Sequence, residues 1–231
     1  MRISIILSVC LLMAVQTSAQ VINAGVGGNT TTDLLHRLDQ DVLVHKPDLV
    51  ILMVGTNDML NSKKLIPYQE YRKNIEEIAR RIKEGGADIL IMSSPPVDSA
   101  YLFQRHDRHL YAETPNEKMN RAREIVASTA AKYGLYYLDL YEKFSELGLP
   151  RHNEDLFIKN IKNSGKADGV HPTALGYYFI ATHIYQFLQD EGLTDTKVVC
   201  FGDSITFGGG PNKNKDSIRM NYPSYLAQLL N

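Results

Sequence analysis

The 231-residue sequence has almost no net charge. Its 25 Lys and Arg residues nearly balance 26 Asp and Glu residues, which gives a formal charge of −1, and no basic block is interleaved with aromatic residues. This balance provides no electrostatic basis for binding nucleic acid. Glycine and proline are not in excess, and no repeat or low-complexity tract is present. With 44% hydrophobic residues, the composition indicates one globular domain with a real core.

The sequence also lacks an apolar run long enough to span a bilayer comfortably, and the longest candidate, at the N-terminus, is too short. Arg2 precedes an apolar run from Ile3 to Val15, and small residues follow. This layout is typical of a secretory signal peptide, so we expect cleavage after Ala19. The prediction is a secreted or periplasmic protein whose single domain is residues 20–231, with no stable membrane insertion after signal removal. The same run could instead form a buried first strand.

Cysteine is scarce, which limits both disulfide and lipid chemistry. Only Cys10 and Cys200 occur, and removal of a signal peptide would leave Cys200 alone, so no intrachain disulfide is expected. Val9 is too large for the residue that usually precedes a lipoprotein cysteine. Cys200 lies inside an apolar run and is interpreted as a core residue.

Apolar segments alternate with helical patterns along the rest of the chain. Five segments resemble strands: 21–24, 48–55, 87–96, 134–141 and 198–204. Helical spacing of apolar residues predicts helices over 30–46, 68–84, 115–133, 172–189 and 222–231. Two polar stretches, 97–114 and 142–168, are predicted to be mostly irregular, and a linker is expected near 189–196.

Strands that are apolar throughout and alternate with helices predict an α/β fold with a parallel sheet covered on both faces. In such sheets, sites form beyond the carboxyl ends of the strands. The motifs "GVGGNT", "GTND" and "GDS" each follow a predicted strand. We therefore expect these three motifs to meet at one edge of the sheet.

Ser204 lies where the last predicted strand ends in a turn, as a nucleophile would. A hydroxyl needs a base, and histidine is the usual one because it titrates near neutral pH. Of seven histidines, His171 stands in the turn "DGVHP" before a predicted helix, and Asp168 lies three residues earlier. This spacing allows Asp168 to orient the far ring nitrogen, as the acid of a serine triad does.

An oxyanion needs fixed N–H donors, and three are available at the predicted strand ends. Gly28 can present its backbone N–H without a side chain in the way, Asn57 can offer its side-chain amide, and Ser204 its own N–H. Each motif taken alone could be an ordinary turn or helix cap. His106 and His109 share a polar loop and could line a pocket, but they lack the partners of a zinc site.

Together, "FGDSIT", "NAGVGGNT", "GTND" and "DGVHP" resemble the four sequence blocks of the GDSL esterase/lipase family, also called SGNH hydrolases. The resemblance implies a flavodoxin-like three-layer α/β/α domain with a five-stranded parallel sheet that hydrolyses esters without metal or cofactor. Matched motif to motif, Ser204 takes the place of the nucleophile, His171 of the base and Asp168 of the orienting acid. Gly28 and Asn57 take the places of the other oxyanion donors.

The order of the blocks departs from the family pattern. In the family the serine block comes first, whereas here it comes last. The sequence therefore resembles a circular permutation, in which the strand before Ser204 should insert between the "VINAG" and "DLVILMVG" strands. Alternatively, the C-terminal segment could begin a second, truncated copy, and two molecules could complement one another. The sequence gives no indication of oligomeric state.

The expected activity is hydrolysis of short-chain esters, acetyl above all, on a small molecule or a glycan. The polar loops 97–114 and 142–166 suit such substrates. Two alternatives remain: a lipase or lysophospholipase type of acyl hydrolase, and a catalytically silent binding module on the same fold.

Overall fold

A computed structural model describes residues 20–209 and 220–231. The predicted signal peptide, residues 1–19, lies outside the described residues. Among the described residues, no helix is both long and apolar enough to cross a membrane.

Five parallel strands form one sheet in the order β1-β5-β2-β3-β4. The strands are β1 Val21–Gly25, β2 Leu49–Met53, β3 Asp88–Met92, β4 Tyr136–Leu138 and β5 Val198–Gly202. Strand β5 pairs with β1 on one side and with β2 on the other. The serine-bearing strand is thus the last in sequence and an interior strand of the sheet, as the sequence predicted.

Side chains of the interior strands alternate between two helical layers. In β5, Val199 and Phe201 join one apolar cluster, whereas Val198 and Cys200 join the other, and all four are fully buried. Successive side chains of a strand point to opposite faces, so a strand covered on both sides must be apolar throughout. The predicted core position of Cys200 is confirmed.

The helices lie on both faces of the sheet. In chain order they are α1 Thr31–Asp41, α2 Thr56–Leu60, α3 Tyr68–Glu84, α4 Ser99–Leu102, α5 Pro115–Tyr133, α6 Leu140–Glu146, α7 Ile161–Ser164, α8 Ala174–Asp190, α9 Ser204–Phe207 and α10 Tyr222–Leu229. Helices α1, α3 and α5 cover one face, and α6, α8 and α10 cover the other. This is the predicted three-layer α/β/α architecture.

Some predicted boundaries were wrong. The third and fifth strands end at Met92 and Gly202, before the predicted residues 96 and 204. The fourth strand is only three residues long, because Asp139 accepts a hydrogen bond from the N–H of Glu142 and starts α6. The stretch 142–168 is therefore less irregular than predicted, and it also contains α7. The loop 97–114 contains α4 and a 3-10 turn at Arg108–Leu110, and the helix predicted over 30–46 ends at Asp41, before a second 3-10 turn.

Candidate active site

Ser204 is the first residue of α9, at the carboxyl end of β5, and its side chain is partly exposed. The preceding Asp203 caps the helix by accepting a 2.9 Å hydrogen bond from the N–H of Ile205. The turn is compact because a Cβ at Gly202 would lie 2.2 Å from the carbonyl oxygen of Met53. Close approach of β2 to this turn therefore requires glycine.

His171 connects Ser204 to Asp168. The Nε2 atom of His171 lies 3.0 Å from the Oγ atom of Ser204, and its Nδ1 atom lies 2.9 Å from both carboxylate oxygens of Asp168. A carboxylate can only accept, so Nδ1 donates its hydrogen and Nε2 is left to accept the Ser204 proton. The three side chains that the sequence singled out thus form one continuous chain of hydrogen bonds.

The loop that carries His171 is held by backbone contacts. The N–H of Lys159 donates to the carbonyl of His171 over 2.9 Å, and the N–H of Asp98 donates to the carbonyl of Gly169 over 2.7 Å. Gly169 has a φ of 72°, and its Cβ position would clash with Asp98 and Tyr101, so glycine is required there. The orientation of His171 is therefore fixed by elements far from it in sequence.

The carboxyl of Asp168 is ionised at neutral pH. Burial by itself would raise its pKa, but the hydrogen bond and charge of His171, with the N–H groups of His171 and Val170, hold the pKa of Asp168 well below its usual range. The N–H groups of both residues donate to one of its oxygens. A negative charge facing Nδ1 stabilises the imidazolium that forms when His171 accepts a proton.

Gly28 and Asn57 follow β1 and β2, the two strands that pair with the serine-bearing β5. Gly28 follows β1 with a φ of 76°, a conformation that side chains disfavour. Asn57 lies at the start of α2, after β2, and its Nδ2 atom donates to the carbonyl of Asn29 over 3.0 Å. Among the described residues, neither Gly28 nor Asn57 forms a direct hydrogen bond with Ser204. The bond to Asn29 nevertheless holds Asn57 against the turn that contains Gly28.

Two buried carboxyl groups near this edge have no counterpart in the sequence-based set. Asp203 and Asp58 are almost fully buried, and each has one oxygen without a hydrogen-bond partner among the described residues. Burial raises the pKa of Asp203 to about 7 and that of Asp58 to about 6, against the hydrogen bonds that Ile205 and Thr31 donate to them. Both carboxyls are therefore protonated in mildly acidic solution.

Arg37 on α1 ties the strand ends together. Its guanidinium donates to the carbonyls of Ala24 and Gly202 and to the side chain of Asn29, at 2.7–2.8 Å. It also lies over the ring of Phe201. Nothing in the sequence singled out Arg37, because its partners lie in three separate segments, one of them 165 positions away. Its contacts fix the relative positions of β1, β5 and the "GVGGNT" turn.

The remaining histidines lie outside this hydrogen-bonded chain. His106 contacts Ser62 with its Nδ1 atom, and His109 lies beside a surface pocket with Phe103 and Tyr111. Within residues 20–209 and 220–231, no group of three His, Cys, Asp or Glu side chains is arranged to hold a metal ion.

Comparisons with known proteins show similarity to ester hydrolases. The acetylxylan esterase of Geobacillus stearothermophilus is 25% identical over 175 residues, which are 75% of this chain and 72% of that protein. A lipase/acylhydrolase structure from Enterococcus faecalis has a TM-score of 0.56 at 24% identity, covering 71% of this chain and 72% of the other. The acetyl xylan esterase AlAXEase has a TM-score of 0.56 at 21% identity, covering 71% and 79%. At these identities the solved structures show the fold alone.

A family comparison shows the relationship directly. The model of the GDSL-like lipase/acylhydrolase family matches residues 11–179, well over half of the chain. The matched region contains Gly28, Asn57, Asp168 and His171, and it ends before Ser204. The family that the sequence motifs indicated is confirmed. The chain belongs to the GDSL-like lipase/acylhydrolase family and is a carboxylic ester hydrolase.

Proposed function

We propose that the chain is a serine esterase that releases short acyl groups, acetyl above all, through a covalent intermediate on Ser204. The observation that carries the proposal is the chain of hydrogen bonds from Ser204 through His171 to Asp168, with distances of 3.0 and 2.9 Å. This is the arrangement that lets an imidazole accept the proton of a serine hydroxyl while a carboxylate holds the ring.

In the first half of the reaction, the Oγ atom of Ser204 attacks the ester carbonyl carbon as its proton moves to Nε2 of His171. The tetrahedral intermediate collapses when His171 returns this proton to the leaving alcohol oxygen, and the ester C–O bond breaks. In the second half, His171 takes a proton from water, and the resulting hydroxide attacks the acyl-enzyme. Collapse releases the carboxylic acid and restores the Ser204 hydroxyl.

The oxyanion of each tetrahedral intermediate is stabilised by three donors in this proposal. They are the N–H groups of Ser204 and Gly28 and the side-chain amide of Asn57. Only one N–H of the Asn57 amide is used by Asn29, so the second remains for the substrate. Loss of one such donor typically lowers kcat about 10²- to 10³-fold.

The substrate is proposed to be an acetyl ester on a carbohydrate. The acetylxylan esterases among the similar proteins support this choice, as does the polar composition of loops 97–114 and 142–166. A lipase-type hydrolase of long acyl chains is the second candidate, supported by the family, whose name includes lipases. Export to the periplasm or beyond the cell after removal of residues 1–19 is part of the proposal.

The order of segments is proposed to be a circular permutation of the family pattern. The family match ends before β5, while β5 lies between β1 and β2 in the sheet. Both observations support a serine strand that has moved from the start of the sequence to its end. A single domain over residues 20–231 then contains all the required blocks once.

A chain-length series of p-nitrophenyl esters, measured beside acetate release from acetylated glycans, tests the proposed substrate. We expect kcat/KM to be highest for acetate and to fall by at least tenfold at octanoate, with acetate released from the glycan. A maximum at eight or more carbons would favour the lipase-type alternative. Failure to hydrolyse any ester would favour the silent binding module.

A further inference from the structure

Lys159 is a half-buried lysine beside the candidate active site. It precedes α7, and its backbone pairs with the loop of His171: its N–H donates to the carbonyl of His171, and its carbonyl accepts from the N–H of Gly169. Burial lowers the pKa of Lys159, and the carboxylate of Asp168 acts in the opposite sense. The ammonium group is thus partly removed from water next to the ionised acid of the triad.

The pairing geometry indicates which way Lys159 points. Ile158 forms an antiparallel bridge with Pro172, and the Ile158 side chain is buried in the core. Neighbouring side chains of extended segments alternate, so Lys159 and His171 both project to the side opposite the core. Consistent with this, the Nζ atom of Lys159 lies 2.8 Å from the position that a Cβ of Gly209 would occupy, just past α9. Lys159 therefore reaches from the His171 loop toward the segment that follows Ser204.

Within residues 20–209 and 220–231, Lys159 has no acidic side chain as a bonded partner. Its Nζ atom makes no salt bridge or hydrogen bond to a described side chain, and the charges that act on it are those of Asp168 and Lys166. The carboxylate of Asp168 is already occupied by His171 and two N–H groups. A second cation, Arg105, donates to the carbonyl of Asp168 over 2.6 Å and lies 3.9 Å from its carboxylate. Two cations, Lys159 and Arg105, thus lie beside the single carboxylate of Asp168, although the whole chain is slightly negative.

We propose that Lys159 binds a carboxylate on the alcohol part of the substrate. The inference rests on the proposed function: if the acyl group is as small as acetyl, the charged group must be on the alcohol. Among the described residues this partly desolvated ammonium group has only the charge of Asp168, which His171 already shares, so it gains from pairing with an anion. The guanidinium of Arg105 is already engaged by the carbonyl and the carboxylate of Asp168, so Lys159 offers a single ammonium. One ammonium matches a single carboxylate better than a phosphate. The substrate class is therefore an acetyl ester of an acidic alcohol, such as a sugar acid.

A matched pair of small esters tests this inference: 4-acetoxybenzoate and methyl 4-acetoxybenzoate, which share the acetyl ester bond and differ in charge. The measured quantity is the ratio of kcat/KM for the anion to that for the neutral ester. We expect Lys159→Met to lower this ratio about two- to fivefold and Lys159→Arg to keep it within about twofold. Raising the salt concentration should raise KM for the anion in the wild type and much less in Lys159→Met.

Lys162→Met is the control, because Lys162 lies exposed in the neighbouring α7 and the substitution removes the same charge. We expect its ratio to equal that of the wild type. An unchanged ratio in Lys159→Met, or an equal fall in Lys162→Met, would overturn the inference. A uniform loss on both esters would also overturn it, because Lys159 would then act through Asp168. If the wild type hydrolyses neither ester, the proposed function itself fails.

Discussion

At the scale of single residues, Asp168 is distinguished by its hydrogen bonds, all of which favour the carboxylate. In an Asp168→Asn variant the amide could donate to Nδ1 of His171, which would place the imidazole proton on Nε2, facing Ser204. We expect kcat on p-nitrophenyl acetate to fall about 10³- to 10⁴-fold, because the base is then in the wrong tautomer. Steady-state kinetics on protein with an unchanged circular dichroism spectrum measures this. A loss of less than tenfold would contradict the orienting role of Asp168.

Asn57 is the second residue whose substitution we consider. Replacing it should lower kcat less than replacing Ser204, the proposed nucleophile. Asn57→Ala removes one of the three proposed oxyanion donors, so we expect kcat to fall about 10²- to 10³-fold with measurable activity left. Asn61→Ala is the control, since the Asn61 side chain lies 3.4 Å from the side-chain oxygen of Asn57 and otherwise accepts from the N–H of Lys63. Activity of Asn57→Ala equal to that of Asn61→Ala would argue against a role in the oxyanion hole.

Asp203 links the site to the pH dependence of stability. Its pKa is raised to about 7 in the folded protein, whereas an aspartate in an unfolded chain titrates near about 4. Between these values the folded state holds a proton that the unfolded state has lost, so the free energy of unfolding falls as pH rises from about 4 to about 7. Asp58 acts in the same direction up to about pH 6. Asp168, whose pKa is lowered, contributes its full stabilisation above about pH 5, so it does not oppose the decline above that pH.

We therefore expect Asp203→Asn to flatten the decline in stability between pH 5 and 7. Denaturant unfolding at pH 5, 6, 7 and 8 measures the slope in both proteins. Parallel curves for the wild type and the variant would show that Asp203 does not carry a raised pKa.

At the scale of elements, the short helix α9 is seated directly on the end of β1. A Cβ at Gly25 would lie 2.2 Å from the backbone nitrogen of Phe207. Gly25→Ala should push α9 away, destabilise the fold by about 1–3 kcal/mol and lower kcat/KM at least tenfold. Thermal unfolding and esterase kinetics measure both effects.

Gly27 provides a matched control for this contact. It lies two residues further along, in the turn after β1, has nothing within 4 Å of its Cβ position and has no positive φ. Gly27→Ala should therefore leave the melting temperature and the activity close to those of the wild type. If the two alanine variants behave alike, the contact between β1 and α9 does not position Ser204.

Much of the element pattern could be predicted from the sequence, because its signals are local. Helix α3 begins and ends at the predicted residues, and the strands before Gly55 and Asp203 are marked by continuous apolar runs. The fourth strand was predicted too long, since "GLYYLDLY" is apolar enough for a strand while the capping side chain of Asp139 decides otherwise.

The site residues also fall into those that local sequence signals reveal and those that only the fold reveals. Its strand-end motifs could be found because parallel strands bring their carboxyl ends to one edge. Arg37 and Asp58 could not, because their roles depend on partners such as Gly202 and Thr31 that lie far away in sequence. The raised pKa of Asp203 could not be predicted from the sequence either, because it results from burial, which only the fold determines.

At the scale of the whole molecule, the described chain assembles Ser204 and His171 from segments 33 positions apart, and Gly28 from the opposite end. The pairing of β5 between β1 and β2 brings them together within one chain. A truncated second copy, by contrast, would require two molecules to complete one site.

Mixing two inactive variants distinguishes these arrangements. Equimolar Ser204→Ala and His171→Ala, refolded together from denaturant, should remain inactive if every site is built within one chain. Recovery of about a quarter or more of the wild-type activity would show that Ser204 of one molecule meets His171 of another. Each variant refolded alone gives the baseline.

The central claim is that Ser204, activated by His171, is the nucleophile of this hydrolase. Covalent labelling with a fluorophosphonate probe, followed by peptide mass spectrometry, tests it most directly, because the probe reacts with an activated serine and needs no knowledge of the natural substrate. The account predicts a single adduct on Ser204 in the wild type, at least 10²-fold slower labelling in His171→Ala, and none in Ser204→Ala. An adduct on another serine, or unchanged labelling of Ser204→Ala, would contradict it.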